Sequence, residues 1–182
     1  QSLSTSSHPR AARISSFAAL DSILVRIAGK CPNLASIVIG GHSAGGQFTN
    51  RFAAGSPIPT LLANQYGIQT SYIVANPSSY IYMNGERLVP GTTDTWAVPQ
   101  TSCSDYNSYK YGMLSRNPYM AAVPQQQIID QYAQRKVTIL LGALDNDPNG
   151  DGVDTDCPAV IQGSHRLERG LTYLKYLKHY YG

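Results

Sequence analysis

A serine between glycines, in the pattern Gly-x-Ser-x-Gly, is the part of this 182-residue sequence best suited to chemistry. The pattern runs from Gly41 to Gly45, with Ser43 at its centre. A sharp turn from strand to helix exposes such a hydroxyl for attack on a carbonyl carbon, and Gly41 and Gly45 are expected where strand and helix approach closely. The amide of Ala44, at the helix start, would hold the developing oxyanion. The pattern therefore predicts Ser43 as the nucleophile of a serine hydrolase, most simply an esterase that forms an acyl-enzyme.

A serine nucleophile needs a base to take its proton and an acid to orient that base. Asp145 follows the apolar run 137–141, on a loop that we expect at the carboxyl end of a strand, where α/β active sites form. Asp147 is the competing candidate, and the alternative for Asp145 is a turn aspartate in a polar loop. We predict Asp145 as the acid.

The base is harder to find in this sequence. The four histidines are His8, His42, His165 and His179, and none of them follows a further strand after the acid, where the order nucleophile, acid, histidine would place it. His8 precedes the nucleophile, and the ring of His42 should point away from Ser43. We expect the catalytic histidine beyond Gly182, with His165 as the alternative within the chain. The missing histidine also favours a second hypothesis, a non-catalytic, hydrolase-like binding or interaction protein.

The segment from Asp145 to Asp156 has a second interpretation, as a calcium-binding loop. Oxygen-bearing side chains stand at its first, third and fifth positions, glycine at the sixth and an acid at the twelfth. Pro148 departs from that pattern, the last acid is Asp instead of Glu, and a strand would precede the loop where an EF-hand has a helix. The alternatives are an isolated loop stabilised by calcium and a solvated acidic turn. If Asp145 bound calcium, it could not also orient a histidine freely as the acid. We expect no cofactor other than this possible calcium ion.

The elements that position these residues follow from apolar spacing and from stop signals. The order of helix, buried strand and serine turn indicates an α/β fold with a thin, mostly parallel sheet flanked by helices. The few residues before Ser43 and the missing strand after the last helix indicate an incomplete sheet. The spacing predicts helices over 14–28, 46–54, 124–134 and 159–180, strands over 35–40, 71–75 and 137–141, and a loose arm over 1–10.

The stretch 80–123 is polar and rich in tyrosine, with glycine, proline and asparagine throughout. Such an excursion between strands is typical of a lid or of substrate-facing loops, and the alternative is a surface covering whose tyrosines pack at the edge of the core. We describe the chain as a single, partial domain over 1–182 with this lid-like insertion.

The three cysteines permit one disulfide and one leftover thiol. We prefer Cys103–Cys157 as the pair, which leaves Cys31 for a segment outside the chain. The alternative is three free thiols. No spacing fits a zinc site. A disulfide and a composition rich in tyrosine and poor in lysine favour a secreted protein.

Composition excludes several classes of protein. Apolar residues make up 42% and charged residues 14%, which is typical of a packed globular protein and not of a disordered one. No apolar run is long enough for a membrane span. The net charge of +3 is modest and its basic residues are spread out, so nucleic-acid binding is not indicated.

Beyond the serine motif, the sequence resembles members of the α/β-hydrolase superfamily from fungi and bacteria, most of them uncharacterised. The resemblance implies Ser43 as nucleophile, Asp145 as acid and a histidine on a Gly-His loop after the last helix, but it implies no particular substrate. From the serine chemistry itself we expect an ester or other small-molecule substrate. A second chain or segment would then complete the fold. A transferase with the same triad is a third possibility that the sequence does not separate from the other two. The matching segments are 41–47, 75–80, 106–107, 110–112, 141–142 with Asp145, Asp147 and Pro148, 162–163 and 166–170.

Overall fold

A computed structural model describes residues 14–182. The arm predicted over 1–10, with His8, lies outside these residues. The elements in chain order are α1 (Ser16–Lys30), β1 (Ser36–His42), α2 (Ala44–Gly55), α3 (Ile58–Tyr66), β2 (Gln69–Ala75), β3 (Arg87–Leu88), β4 (Trp96–Ala97), α4 (Pro118–Ala121), α5 (Gln125–Gln134), β5 (Lys136–Leu140), α6 (Cys157–Val160) and α7 (Arg166–Tyr181).

A parallel sheet of three strands, in the order β1-β2-β5, organises the fold. All three predicted strands are present, and each pair is parallel. In this register Ala75 pairs with both His42 and Leu140, so the carboxyl ends of the three strands lie side by side. The fold class is therefore α/β, with a parallel sheet flanked by helices, as the sequence indicated.

One face of this sheet carries the core. Ile39, Tyr72 and Val74 are buried on that face, and Val137 and Ile139 pack against the same core. Helices α2 and α3 contact the strands directly, and α1 contributes Phe17, Leu24 and Ala28 to the core. The side chains that the strands contribute to this covered face are β-branched or aromatic, the types that favour strands.

The opposite face is open to solvent over part of its apolar surface. Val38 is 59% exposed and Leu140 is 50% exposed, with Ile73 between them on the central strand. Parallel sheets are normally covered on both faces, which makes this exposure unusual.

Two predicted helix boundaries are corrected by the structure. Ser15 caps α1, its hydroxyl accepting the Ala18 amide at 3.0 Å, but the helix continues through Gly29 instead of ending there. The long helix predicted over 159–180 is two helices, α6 and α7. Gly163 has a φ of 145° between them, and the Nδ1 atom of His165 accepts the Glu168 amide at 3.2 Å, starting α7 afresh. A residue in that backbone region interrupts a helix. Helix α3 was not predicted at all.

The excursion over 80–123 is more ordered than its composition suggests. It contains the antiparallel ribbon β3–β4 and the short α4. Tyr80 and Tyr82 are fully buried, and their rings contact Tyr173 of α7 at centroid distances of 4.3 and 5.4 Å. These two tyrosines therefore pack into the core, as the surface-covering alternative expected. The lid function stays a prediction.

The preferred disulfide is confirmed. Cys103 of the excursion is bonded to Cys157 of α6, and Cys31 is a free, exposed thiol. The bond ties the excursion to the acidic loop that precedes α6. None of the helices within residues 14–182 has both the length and the apolar character that a bilayer crossing requires.

Candidate active site

Ser43 lies alone between β1, which ends at His42, and α2, which begins at Ala44. Its φ of 54° and ψ of −118° are rare for a residue with a side chain, and such backbone strain is concentrated at functional sites. The Ser43 amide donates to the Ala75 carbonyl at 3.0 Å, and the Ser43 carbonyl accepts the Gln47 amide at 3.0 Å. These two bonds hold the sharp turn on both sides.

The Ser43 side chain is half-buried, and its hydroxyl makes no hydrogen bond to any of residues 14–182. A serine before a helix ordinarily uses its hydroxyl to cap that helix. Here the first amides of α2 are left without that cap. The amide of Ala44 is the first of them, and amides at a helix N-terminus favour negative charge. The geometry thus fits the predicted roles of Ser43 and Ala44, which stay predictions.

The turn has room for a side chain at some of its glycines and not at others, and the pattern differs from the expectation. A β carbon on Gly41 would collide with the backbone of Gly45, and one on Gly46 would lie 2.5 Å from the Ala75 carbonyl oxygen. A β carbon on Gly45 would have no atom of the described residues within 4 Å. Strand and helix therefore approach closely at Gly41 and the Gly45 backbone, as expected, but the positions with no room for a side chain are Gly41 and Gly46, because the helix leaves the strand with Gly46 facing β2.

A series of hydrogen bonds holds Asp145 near the carboxyl ends of the strands. The Gly142 amide donates to Asn76 Oδ1 at 2.7 Å, and the Asp145 amide donates to the Gly142 carbonyl at 3.1 Å. The Asp145 carbonyl in turn accepts the Leu167 amide at 3.0 Å. Since Asn76 directly follows β2, the structure places the Ser43 turn and the Asp145 loop at the carboxyl ends of β1 and β5, on either side of the central strand.

The Asp145 carboxylate forms an ion pair that the sequence did not indicate. Its Oδ1 atom lies 3.0 Å from Arg166 Nη1, and both side chains are largely buried. The competing candidate, Asp147, is exposed and accepts the Asn149 amide at 2.8 Å, which is a local turn contact.

The histidines of the described residues have other partners. His42 is exposed, with Nε2 3.5 Å from Asn76 Nδ2. His165 caps α7, and His179 lies 3.4 Å from Glu86 and stacks on Trp96. Within residues 14–182, no histidine hydrogen bonds to the predicted nucleophile or acid.

The acidic loop is bound to the excursion through Asp154. Its carboxylate accepts Lys110 Nζ and the Tyr111 hydroxyl, each at 3.0 Å, and the Ser79 hydroxyl at 3.3 Å. Burial alone would raise the pKa of Asp154, but the hydrogen bond and charge of Lys110, together with hydrogen bonds from the Asp156 amide and the Tyr111 hydroxyl, outweigh burial and lower it. Burial and the adjacent carboxylates of Asp154 and Asp156 raise the pKa of Tyr111.

The calcium hypothesis stays a prediction. Asp145 and Asp154 are ion-paired with basic side chains, so a calcium ion would have to displace those partners. Within the part of the chain that the structure describes, no three acidic side chains of this loop gather within 4.8 Å.

A polar cluster under the nucleophile helix also escaped the sequence reasoning. Gln47 Oε1 accepts the Ser79 hydroxyl at 3.1 Å and Arg51 Nη1 at 3.3 Å. Arg51 is fully buried and donates from Nε to the Lys110 carbonyl at 2.9 Å. The cluster joins the first turns of α2 to the excursion. Its only sequence signal was that Gln47 and Ser79 lie in segments of the family resemblance.

A cavity of about 710 Å³ lies between the β3–β4 ribbon and the segment joining α6 to α7. Val98 and Val160 form apolar parts of its wall, and Glu168 supplies a carboxylate. Hydrogen bonds from Ser164 lower the pKa of Glu168. The residues that line this cavity include neither Ser43 nor Asp145, so it is separate from the serine turn.

Comparison with solved structures places the fold among hydrolases. Poly(aspartic acid) hydrolase-1 from Sphingomonas sp. KT-1 matches with a TM-score of 0.58 and 25% sequence identity, over 98% of this chain and 56% of that one. Poly(3-hydroxybutyrate) depolymerase from Bordetella parapertussis matches with a TM-score of 0.57 and 20% identity, over 97% of this chain and 49% of that one.

The chain thus spans about half the length of these two hydrolases and shares their α/β-hydrolase-type fold. No protein-family model matches the sequence, and no curated protein matches it.

Proposed function

We propose that this chain supplies the nucleophile and the acid of a serine hydrolase that cleaves esters through an acyl-enzyme on Ser43. The observation that carries the proposal is the backbone of Ser43, which has a φ of 54° between a strand and a helix and leaves its hydroxyl unbonded within residues 14–182. Strain of this kind persists where the surrounding structure imposes it, and it is a property of nucleophile turns.

The reaction follows from these positions. Ser43 Oγ forms a bond to the carbonyl carbon of the ester while the base takes its proton, and the carbonyl oxygen becomes an oxyanion held by the Ala44 amide. The C–O bond to the leaving group then breaks, and the leaving oxygen takes the proton from the base. Water, activated by the same base, releases the acid and restores Ser43. Asp145 orients the base throughout.

We propose that the base is a histidine from polypeptide outside Gln1–Gly182. The proposal is supported by the three described histidines, each of which has contacts away from Ser43 and Asp145. His165 is the alternative, and it would have to give up its bond to the Glu168 amide at the start of α7.

The same additional polypeptide, as a further segment or a second chain, would cover the open face of the sheet. The exposure of Val38 and Leu140 supports this, because apolar side chains on a parallel sheet are normally buried. Limited proteolysis of the full-length protein, followed by size-exclusion chromatography, would test the association. Independent elution of the 182-residue part would contradict it.

The neighbours favour a polymer or small molecule with a cleavable acyl bond as substrate. Their names describe hydrolysis of poly(aspartic acid) and of poly(3-hydroxybutyrate). The Cys103–Cys157 disulfide supports an extracellular location, since such bonds persist in oxidising compartments. The excursion over 80–123 is proposed as the lid of the site, because Lys110 and Tyr111 bind the loop that follows the acid.

The test is labelling of the full-length protein by a fluorophosphonate probe, with the modified residue located by peptide mass spectrometry. We expect adduct formation on Ser43 and its loss in Ser43→Ala. Ser22→Ala, a change at an exposed hydroxyl of α1, is the matched control and should label like the wild type. Labelling that survives Ser43→Ala would refute the assignment.

The second candidate is a non-catalytic binding protein with the same fold, and the Arg166 partner of Asp145 favours it. A folded full-length protein that shows no Ser43 adduct would support this candidate. A heat signal on calcium titration that disappears in Asp147→Ala, which removes the oxygen ligand at the third position of the loop, would support its calcium-stabilised form. An acyl acceptor other than water, found among the products, would instead indicate a transferase.

A further inference from the structure

Arg166 lies against the predicted acid in a geometry that leaves half of the carboxylate unused. Its Nη1 atom donates to Asp145 Oδ1 at 3.0 Å. Asp145 Oδ2 accepts no hydrogen bond from any of residues 14–182, although only 22% of the Asp145 side chain is exposed. An acid that orients a histidine needs one carboxylate oxygen for the imidazole N–H and some other means of holding its own position.

Arg166 is itself held firmly. It is the first residue of α7, and only 11% of its side chain is exposed. Its Nη2 atom donates to the Asp151 carbonyl at 2.6 Å. Gly152, with a φ of 67°, lies so close that a β carbon there would be 3.3 Å from Nη2. A guanidinium has a rigid, planar set of donors, so fixing one nitrogen on a backbone carbonyl fixes the direction of the others.

The backbone supports the same arrangement from the other side of the pair. The Asp145 carbonyl accepts the Leu167 amide at 3.0 Å, so Asp145 is bound to the first turn of α7 by main chain as well as by side chain. The position of Asp145 is therefore tied to the start of α7 at two points.

We propose that Arg166 is a positioning residue for the reaction, holding Asp145 by Oδ1 so that Oδ2 is presented to the base. This inference rests on the proposed function, because the orientation of Asp145 matters only if Asp145 is the acid of a serine hydrolase. Arg166 touches neither substrate nor nucleophile in this role and acts through Asp145 alone.

The test is a double-mutant cycle in the full-length protein, with p-nitrophenyl butyrate as substrate. We expect Arg166→Gln to lower kcat about tenfold or more, because small misplacements of a catalytic group are costly, with KM within about twofold of the wild type. Asp145→Asn should lower kcat at least as far. The double variant should be no slower than Asp145→Asn, because two residues that act as a unit are not additive.

Two further variants separate positioning from folding. Arg166→Lys keeps the charge but not the planar pair of donors, so kcat should lie between the wild type and Arg166→Gln with KM unchanged. Lys175→Gln, an exposed change on the same helix, is the matched control and should leave kcat and KM at wild-type values. Thermal unfolding of each variant checks that it is folded. If Arg166→Gln does not fold, the decision passes to Arg166→Lys.

The outcomes are distinct. Unchanged or higher kcat in Arg166→Gln, or wild-type kcat in Arg166→Lys, would overturn the inference and show that Arg166 merely occupies the place of the base. Losses that multiply in the double variant, or that appear in KM, would assign Arg166 a structural role and overturn it equally. Wild-type protein without any Ser43-dependent turnover would instead remove the proposed function, and with it the inference.

Discussion

Gly46 lies against the carbonyl group of Ala75, at the point where the nucleophile helix passes the central strand. A β carbon on Gly46 would be 2.5 Å from the Ala75 carbonyl oxygen and 3.2 Å from that of Gly41. The Ala75 carbonyl also accepts the Ser43 amide at 3.0 Å. The close approach of Gly46 to Ala75 and the hydrogen bond that shapes the serine turn therefore depend on the same backbone group.

This relationship predicts that alanine at Gly46 lowers the stability of the protein much more than alanine at the adjacent Gly45. Gly46→Ala would push α2 away from β2 and is expected to destabilise the protein by about 2 kcal/mol or more, with loss of Ser43 labelling. Gly45→Ala is the matched control. It should change stability by no more than about 1 kcal/mol, because no described atom occupies the space its methyl group would fill. Urea unfolding measures both, and equal losses would contradict the geometry.

The contacts of Asp154 predict a pH-dependent contribution to stability. Its pKa in the folded protein is below the ordinary value of 3.8, so the contribution is fully present above that value and is lost as the pH falls through the folded pKa. Asp154→Asn should therefore cost about 1–3 kcal/mol at pH 7, through loss of the ion pair with Lys110 and weaker bonds from the Asp156 amide and the Tyr111 hydroxyl, and progressively less below about pH 4.

Urea unfolding of wild type and Asp154→Asn at several pH values measures this difference. Asp147→Asn serves as the control, because Asp147 is exposed and its turn contact to the Asn149 amide can be made by asparagine too. A wild-type advantage that stays constant down to the lowest pH would show that ionisation of Asp154 does not contribute.

The disulfide predicts how many thiols of the native protein are reactive and how much stability is lost when the bond is removed. Native protein should expose one reactive thiol, Cys31, and three after reduction and unfolding. The two bonded cysteines are 54 residues apart, and the loop-closure model gives a stabilisation of about 4 kcal/mol for such a loop. The double variant Cys103→Ser with Cys157→Ser should lose up to that amount, whereas Cys31→Ser should lose nothing measurable. Three reactive thiols in native protein would disprove the pairing.

Asn50 predicts the cost of breaking a buried polar network. Its Nδ2 atom donates to the Tyr132 hydroxyl at 3.0 Å and the Tyr173 hydroxyl at 3.4 Å, and its Oδ1 accepts the Ile81 amide at 3.0 Å. Asn50→Leu leaves the Ile81 amide without this acceptor and leaves the two tyrosine hydroxyls only their mutual bond of 3.2 Å, so it should destabilise the protein by about 2–4 kcal/mol. Asn146→Leu, at an exposed loop position, is the control. A small effect at Asn50 would mean that water or rearranged tyrosines replace it.

Local patterns predicted the sheet well. The run of β-branched residues before Gly41 and the glycine-rich turn after it located β1, the Ser43 turn and α2 to within two residues. Such local patterns are informative because the types of neighbouring side chains indicate a strand or a helix. The strand before Asp145 was located equally well. The Cys103–Cys157 pair was also preferred from sequence, since both cysteines lie in the region after the Ser43 motif, and the structure contains this bond.

Longer-range features escaped that reasoning. The break between α6 and α7 depends on Gly163, whose carbonyl is held at 2.8 Å by Arg169 Nε, and apolar spacing alone continues through it. The sequence left open whether Tyr80 and Tyr82 belong to a lid or pack at the edge of the core, and they are buried because α7 returns across them with Tyr173. Burial of this kind is decided by a partner about 90 residues away in the chain, which no local window contains.

The sequence by itself determined where the Ser43 turn lies and which strand the Asp145 loop follows, because both are set by short runs of neighbouring residues. Only the tertiary structure decided that Gly46, and not Gly45, meets the central strand, and that Arg166 holds Asp145 by a single oxygen. Those relationships depend on the angle at which α2 leaves the sheet and on where α7 begins. Both are outcomes of packing between distant segments, and not of local preference.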